Sequence, residues 1–186
     1  EKKEDLMNKK SGFTLAEVLV TLMIIGVIAA MTIPSLMQST AQQEYRAAFK
    51  KAVSMINQAV TLNYALDGRD ATDYSLTNFY HLMTQRLNVM SSDNANTAMY
   101  TADGMWFRAY GTAQGALNGP SSNCNANDQA TTGNICSVVV VDVNGMKGPN
   151  RPTTATTRIF DIFTVAIYPQ KALPANTTMG EVLYQK

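Results

Sequence analysis

Glu17 is the side chain whose chemistry most needs an explanation. It is the only ionisable group in the run FTLAEVLVTLMIIGVIAAMTI from Phe13 to Ile33, where an ionised carboxylate costs several kcal/mol unless a cation or the interface is within reach. No Lys or Arg occurs between Lys10 and Arg46. Its partner is therefore either the basic flank before the run or an amino terminus created by proteolysis. Other reactive residues are sparse. The single histidine, His81, leaves no room for a histidine relay or a multi-histidine metal site, and it reads as a surface or edge residue. Gly-x-Ser-x-Gly, His-Glu-x-x-His and phosphate-loop patterns are missing from the sequence, so no enzyme class is indicated. Asp142 and Asn144 alternate before Gly145 as oxygen ligands do in calcium loops. The EF-hand pattern itself fails, because Thr153 stands where its bidentate Glu belongs and the glycine comes too early. Asn-Gly and Gly-Pro turn chemistry is the default for this stretch.

The elements that must position these residues follow from composition and periodicity. Of 186 residues 46% are apolar and only 16% charged, against about 25% charged in ordinary soluble domains, so apolar surface must be hidden or embedded. The length allows one globular domain plus an appendage. A formal charge of +1 excludes a polycation and an acidic disordered chain. As a helix, the run from Phe13 to Ile33 is about 31 Å long, matching the roughly 30 Å hydrocarbon core of a bilayer. Lys2, Lys3, Lys9 and Lys10 precede it and nothing comparably basic follows closely, which leaves residues after Pro34 outside the cytoplasm. A cleaved secretory signal, with Val27 and Ala29 before the cut, fits less well: the run is long, acidic near its start, and continues in helix-compatible sequence past Pro34. A buried core helix is disfavoured because no second stretch is apolar enough to surround it.

After Pro34, Ala41, Tyr45, Ala48, Phe49, Ala52, Val53, Ile56, Ala59, Val60 and Asn63 recur at steps of three and four, an amphipathic helix. Asp67-Gly68 supplies its stop. If Pro34 only bends the chain, one helix of roughly 80 Å runs from Phe13 to about Leu66. A shorter helix carrying His81 is expected over 75–88. Strands are expected at 98–101 and 105–110, joined by the turn Ala102-Asp103-Gly104, and at 138–143 and 161–168. Together these make an antiparallel sheet that buries one face against the amphipathic helix. The polar loop 111–134 is half bracketed by Cys124 and Cys136. Two cysteines outside the cytoplasm are expected to pair, a disulfide worth about 3 kcal/mol.

Lys9-Lys10-Ser11-Gly12 followed by Phe13-Thr14-Leu15-Ala16-Glu17 resembles the type IV prepilin cleavage and methylation signal, shared by type IV pilins and type II secretion pseudopilins. The resemblance covers residues 7 to 34, with Ala16 in place of the more usual Ile or Leu. It implies that a prepilin peptidase cuts between Gly12 and Phe13 and N-methylates Phe13. Glu17 then accepts the amino group of a neighbouring subunit's Phe13, and Pro34 matches a family proline at the outer end of the embedded segment. Met7 to Gly12 would be a complete short leader, making Glu1 to Leu6 an upstream extension. Because some major pseudopilins bind calcium near the sheet, Asp142, Asn144 and Asp161 become calcium candidates; otherwise no cofactor is expected.

The expected fold class is α+β and pilin-like: a leader at 1–12, a transmembrane and filament-core helix at 13–34, an amphipathic spine at 35–66 and a globular head at 67–186. The expected function is that of a structural, non-enzymatic filament subunit, inserted as a single-pass inner-membrane precursor with its head outside the cytoplasm. The filament is a type II secretion pseudopilus or a related type IV pilus. Partners implied are copies of itself, other pilin-like subunits, the peptidase, the inner-membrane platform, the motor ATPase and membrane lipid. The alternatives are a type IV pilin for adhesion, motility or DNA uptake, and a tethered adhesin that does not polymerise. Removing residues 1–12 takes away four lysines and three acidic residues and leaves eleven of each sign. That neutrality disfavours nucleic acid as a partner, although Arg108, Lys147, Arg151 and Arg158 could form a local patch.

Overall fold

The apolar run opens a single helix, α1 (Leu15–Asp67), of 53 residues with Pro34 inside it. A computed structural model describes residues 12–73, 83–92, 98–109 and 135–184 of the chain. By internal contacts the chain divides between Ala41 and Gln42. In the first unit α1 is apolar on every side, with Leu15, Leu19, Leu22, Ile25, Ile28 and Met31 all exposed. Among the described residues this is the one helix long and apolar enough to cross a membrane, with a mean hydropathy of 2.3 over its best window. Its hydroxyls do not stand free. Thr21 donates to the Val18 carbonyl, Thr32 to Ile28, Ser35 to Thr32, and both Ser39 and Thr40 to Leu36. Back-bonding of this kind satisfies hydroxyls where solvent cannot. Pro34 brings no N–H to the carbonyl four residues earlier and so locally weakens the ladder.

In the second unit α1 becomes one-sided, with Phe49, Ala52, Val53, Ile56, Ala59, Val60 and Asn63 buried at the expected steps of three and four. They lie against a six-stranded antiparallel sheet in sequential order. Its strands are β1 (Val89–Ser92), β2 (Ala98–Thr101), β3 (Trp106–Ala109), β4 (Ser137–Asp142), β5 (Ile162–Ile167) and β6 (Ala172–Pro174). The register sets Met99 opposite Phe107, Phe107 opposite Val141 and Val141 opposite Phe163. One row of apolar side chains thus crosses four strands on the face toward α1. Phe163 stacks on Phe49 with ring centroids 4.3 Å apart and planes 11° from parallel. Met179, Val182 and Leu183 of a short helix, α2 (Thr177–Tyr184), complete the core. This is the expected α+β fold, a long N-terminal helix on an antiparallel sheet.

The end of α1 is fastened by polar contacts. Gly68 adopts φ +64° and donates its N–H to the Tyr64 carbonyl, the left-handed stop expected of Asp67-Gly68. Arg86 then reaches back to Asn63 at 2.8 Å and to Asp67 at 2.7 Å. Farther up, the Asn57 side chain accepts the Ala172 N–H at 2.9 Å and so ties the edge strand β6 to the helix.

Pattern reading predicts four strands, and the four appear within a residue or two of their expected ends. The sheet has two more. β1 and β6 are four and three residues long, too short to show alternation, and both are edge strands defined by a neighbour rather than by their own sequence. α2 was likewise not expected; its eight residues include Gly180, and Asn176 caps it by accepting the Met179 N–H. The helix expected over 75–88 is helical at 83–86 among the described residues. It ends early because the Asn88 carbonyl takes the Ala102 N–H, which draws the chain into β1. His81, Cys124 and the loop 111–134 lie outside the described residues.

The Phe49–Phe163 stack is fully buried, so Phe163→Ala should cost about 3–5 kcal/mol of head stability. Urea unfolding of the detergent-solubilised chain measures it. An unchanged midpoint would show that the core does not depend on this contact.

Candidate functional site: the helix start and the carboxylate clamp

Gly12, Phe13 and Thr14 precede the helix in non-helical backbone, and Phe13 is 88% exposed. Glu17 is the third helical residue, and its carboxylate folds back on Thr14. Its Oε2 accepts both the Thr14 N–H and the Thr14 hydroxyl at 2.8 Å, while the Glu17 N–H donates to Thr14 Oγ1 at 3.2 Å. This is a capping box, in which a Thr and a Glu three residues on satisfy each other's backbone donors. The motif was legible as Thr14-x-x-Glu17, a helix-start signal that attention to charge alone passes over. The cap fixes where the helix begins, so the Gly12–Phe13 bond stays outside it. Phe13, Glu17, Val18 and Thr21 line one shallow surface depression.

Asp142, Asn144 and Asp161 are also brought together. Asp142 ends β4 and Asp161 precedes β5; both are buried, and Val143 N–H donates to the Asp161 carbonyl. Asp161 spends its two oxygens on the chain: Oδ2 accepts the Asn150 N–H at 2.7 Å and Oδ1 the Arg151 N–H at 2.8 Å. Asp142 Oδ1 accepts the Asn144 N–H at 3.2 Å, and the Asn144 amide donates to the Gly148 carbonyl at 2.8 Å. Gly145, at φ +67°, packs so close to the Gly104 carbonyl that an added Cβ would sit 2.7 Å from its oxygen. The two aspartates therefore clamp the loop between β4 and β5. Among the described residues no group of three or more His, Cys, Asp or Glu is placed to hold a metal ion.

Burial sets the electrostatics of this clamp. It raises the Asp142 carboxyl to about 6, the nearby Asp161 charge adding to the effect and the Asn144 and Gly145 amides opposing it. Burial also raises the Tyr45 phenol, with Asp161 contributing, and the Asn144 side chain lies within hydrogen-bonding reach. Tyr45 reads in the sequence only as one position of an apolar stripe; its polar end meets the clamp because the sheet lies across α1 there. Cys136 is buried directly before β4, and its expected partner Cys124 lies outside the described residues.

A carboxyl whose folded pKa exceeds its unfolded value contributes stability that is fully present below the unfolded pKa and lost as pH rises through the folded one. Between pH 7 and about 5 the head should therefore become more stable on acidification, as Asp142 takes up its proton at about 6. Asp142→Asn keeps an acceptor for the Asn144 N–H and should flatten that slope while raising the melting point at pH 7. Thermal melts of both proteins across this range decide it; parallel profiles would remove Asp142 from the account.

Residues 7–33 match the family model described as the prokaryotic N-terminal methylation motif. No curated protein and no solved structure shows significant similarity to the chain. The match ends within the first unit and encloses Gly12, Phe13, the Thr14–Glu17 cap and most of the apolar helix. Residues 7–33 of this chain are thus the prepilin-type signal of type IV pilins and pseudopilins.

Proposed function

We propose that the chain is a structural subunit of a type II secretion pseudopilus or a closely related type IV pilus-like filament. One observation carries the reading: a carboxylate, Glu17, stands one helical turn inside an otherwise apolar helix whose start is pinned at Thr14, next to a glycine at the cleavage position. Cleavage between Gly12 and Phe13 releases a new ammonium group at Phe13, which is then methylated. In the filament, that ammonium on one subunit pairs with Glu17 on the next, and each relieves the other's cost of sitting in an apolar core. The cap engages Oε2, so Oε1 is the oxygen left to take the incoming cation among the described contacts. Thr14 then keeps the carboxylate solvated in the free subunit and oriented in the assembled one.

The remaining roles follow from this reading. Residues 13–34 anchor a single-pass precursor in the inner membrane, residues 35–66 link it to the head, and the head lies outside the cytoplasm. Prepilin peptidase, the inner-membrane platform, the motor ATPase and other pilin-like subunits are its partners, and the chain performs no catalysis itself. In that compartment Cys124 and Cys136 form a disulfide that staples the polar loop. Adhesion, motility or DNA uptake by a surface pilus is the alternative use of the same filament. Calcium at the 142–161 clamp is a second reading, favoured by the two buried carboxylates of Asp142 and Asp161 that meet beside Asn144; a melting point that rises with calcium and falls with chelator would support it, and no response would dismiss it.

Glu17→Ala should leave insertion and cleavage largely intact and abolish incorporation into filaments; wild-type incorporation would refute the pairing. Mass spectrometry of the native terminus checks the processing. N-methyl-Phe13 in sheared filaments favours a surface pilus, the same terminus confined to membranes favours a short pseudopilus, and an uncut leader overturns the reading. The same spectrum taken with and without reductant shows the cysteine pair as two hydrogens gained on reduction.

A further inference from the structure

The loop between the two clamping aspartates has a one-sided charge. From Val143 to Phe160 it carries Lys147, Arg151 and Arg158 and no acidic residue. The two aspartates that flank it are buried and turned onto backbone amides, so they offer no outward neutralising charge. Lys147, Arg151 and Arg158 are exposed, and among the described residues none of them is within ion-pair distance of a carboxylate. Both guanidiniums lie over the Phe160 ring, at 5.8 and 5.2 Å from its centroid.

The loop that carries them is held in shape. Thr153 Oγ1 donates to the Phe160 carbonyl and accepts the Phe160 N–H, each at 2.9 Å. Thr153 N–H reaches the Ile162 carbonyl, and Ile162 N–H the Arg151 carbonyl. A bridge between Ala155 and Arg158 closes the tip. The same loop also carries an exposed apolar side chain, Met146, next to Lys147 in the short turn Gly145–Lys147 and 71% exposed. A loop that combines exposed cations with an uncovered apolar side chain is what an anionic lipid interface binds; a phosphate backbone in water gives Met146 nothing to enter.

The tether supplies the proximity. Tyr45 on α1 meets the base of this loop at Asn144 and Asp161. It follows Pro34 by eleven residues, no more than about 40 Å of chain even when fully extended. We propose that the loop 143–160 docks on the anionic phospholipid surface of the membrane that holds residues 13–34, with Lys147, Arg151 and Arg158 on the headgroup phosphates and Met146 entering the interface. The proposal rests on the membrane-inserted reading of the N-terminal helix. Docking holds the head at the membrane before polymerisation, and extraction into a filament must break it.

The full chain is reconstituted into vesicles of phosphatidylcholine alone or mixed with phosphatidylglycerol, and the rate of Met146 oxidation by dilute peroxide is read by peptide mass spectrometry. Met90, 73% exposed on β1, is the internal reference. The expected result is slower Met146 oxidation relative to Met90 in the anionic vesicles only, with the contact weakened about fivefold for each cation removed at low salt. Arg151→Gln with Arg158→Gln should restore oxidation, and the corresponding lysine pair should keep the protection. An equal Met146 to Met90 ratio in both lipids overturns the proposal, as does protection by added duplex DNA in neutral vesicles without any by anionic lipid. Resistance of the bound chain to alkaline carbonate tests insertion separately. A chain washed from neutral vesicles that still shows lipid-dependent Met146 protection would remove the inserted helix and leave the loop's contact standing.

Discussion

A single backbone ladder has to serve two surroundings, and the rest of the molecule depends on how α1 manages it. Over 15–41 the helix buries almost nothing within its own chain, so its stability there comes from its internal hydrogen bonds and from whatever apolar medium surrounds it. Over 42–67 the same ladder gains a partner: the stripe from Phe49 to Asn63 meets the inward row of the sheet, with the Phe49–Phe163 stack inside it. Without that stripe the six strands would have one apolar face and nothing to cover it. Pro34 lies in the half where no packing compensates for a lost bond, so yielding at that point leaves the head intact.

Three carboxylates sit where charge is costly, and each is met by a different device. Glu17 borrows the backbone donor and hydroxyl of Thr14 within one helical turn. Asp161, fully buried, is surrounded by amide donors from a loop that it thereby fixes. Asp142 receives turn amides, but burial, with the nearby Asp161 charge adding to it, raises its pKa to about 6. The same interactions that settle the buried pair leave the loop above them with only positive charge on its surface. A cost resolved inside the head thus becomes an electrostatic feature outside it.

The sequence by itself determined a good deal. A run of apolar residues long enough to span hydrocarbon, a lone Glu four residues after a Gly-Phe junction and a stripe at helical spacing each define their element without reference to any other part of the chain. The periods of 3.6 and 2 are local properties, which is why α1 and the four inner strands fell close to their expected ends. Thr14 was equally available in the sequence, because a capping box is a contact between residues three apart.

Only the tertiary structure decided the rest, and in each case the reason is a partner distant in sequence. β1 and β6 are strands because β2 and β5 offer them hydrogen bonds, not because three or four residues declare a pattern. Asn57 and Asn63 look like breaks in polarity on a helix until Ala172 and Arg86 arrive against them. Asp142 and Asp161, nineteen residues apart in sequence, read as turn residues or ligands; their pairing across neighbouring strands, with Tyr45 beside them, makes them a clamp. Short-range periodicity is carried by the chain itself, whereas burial of a polar group takes its meaning from what the fold brings to it.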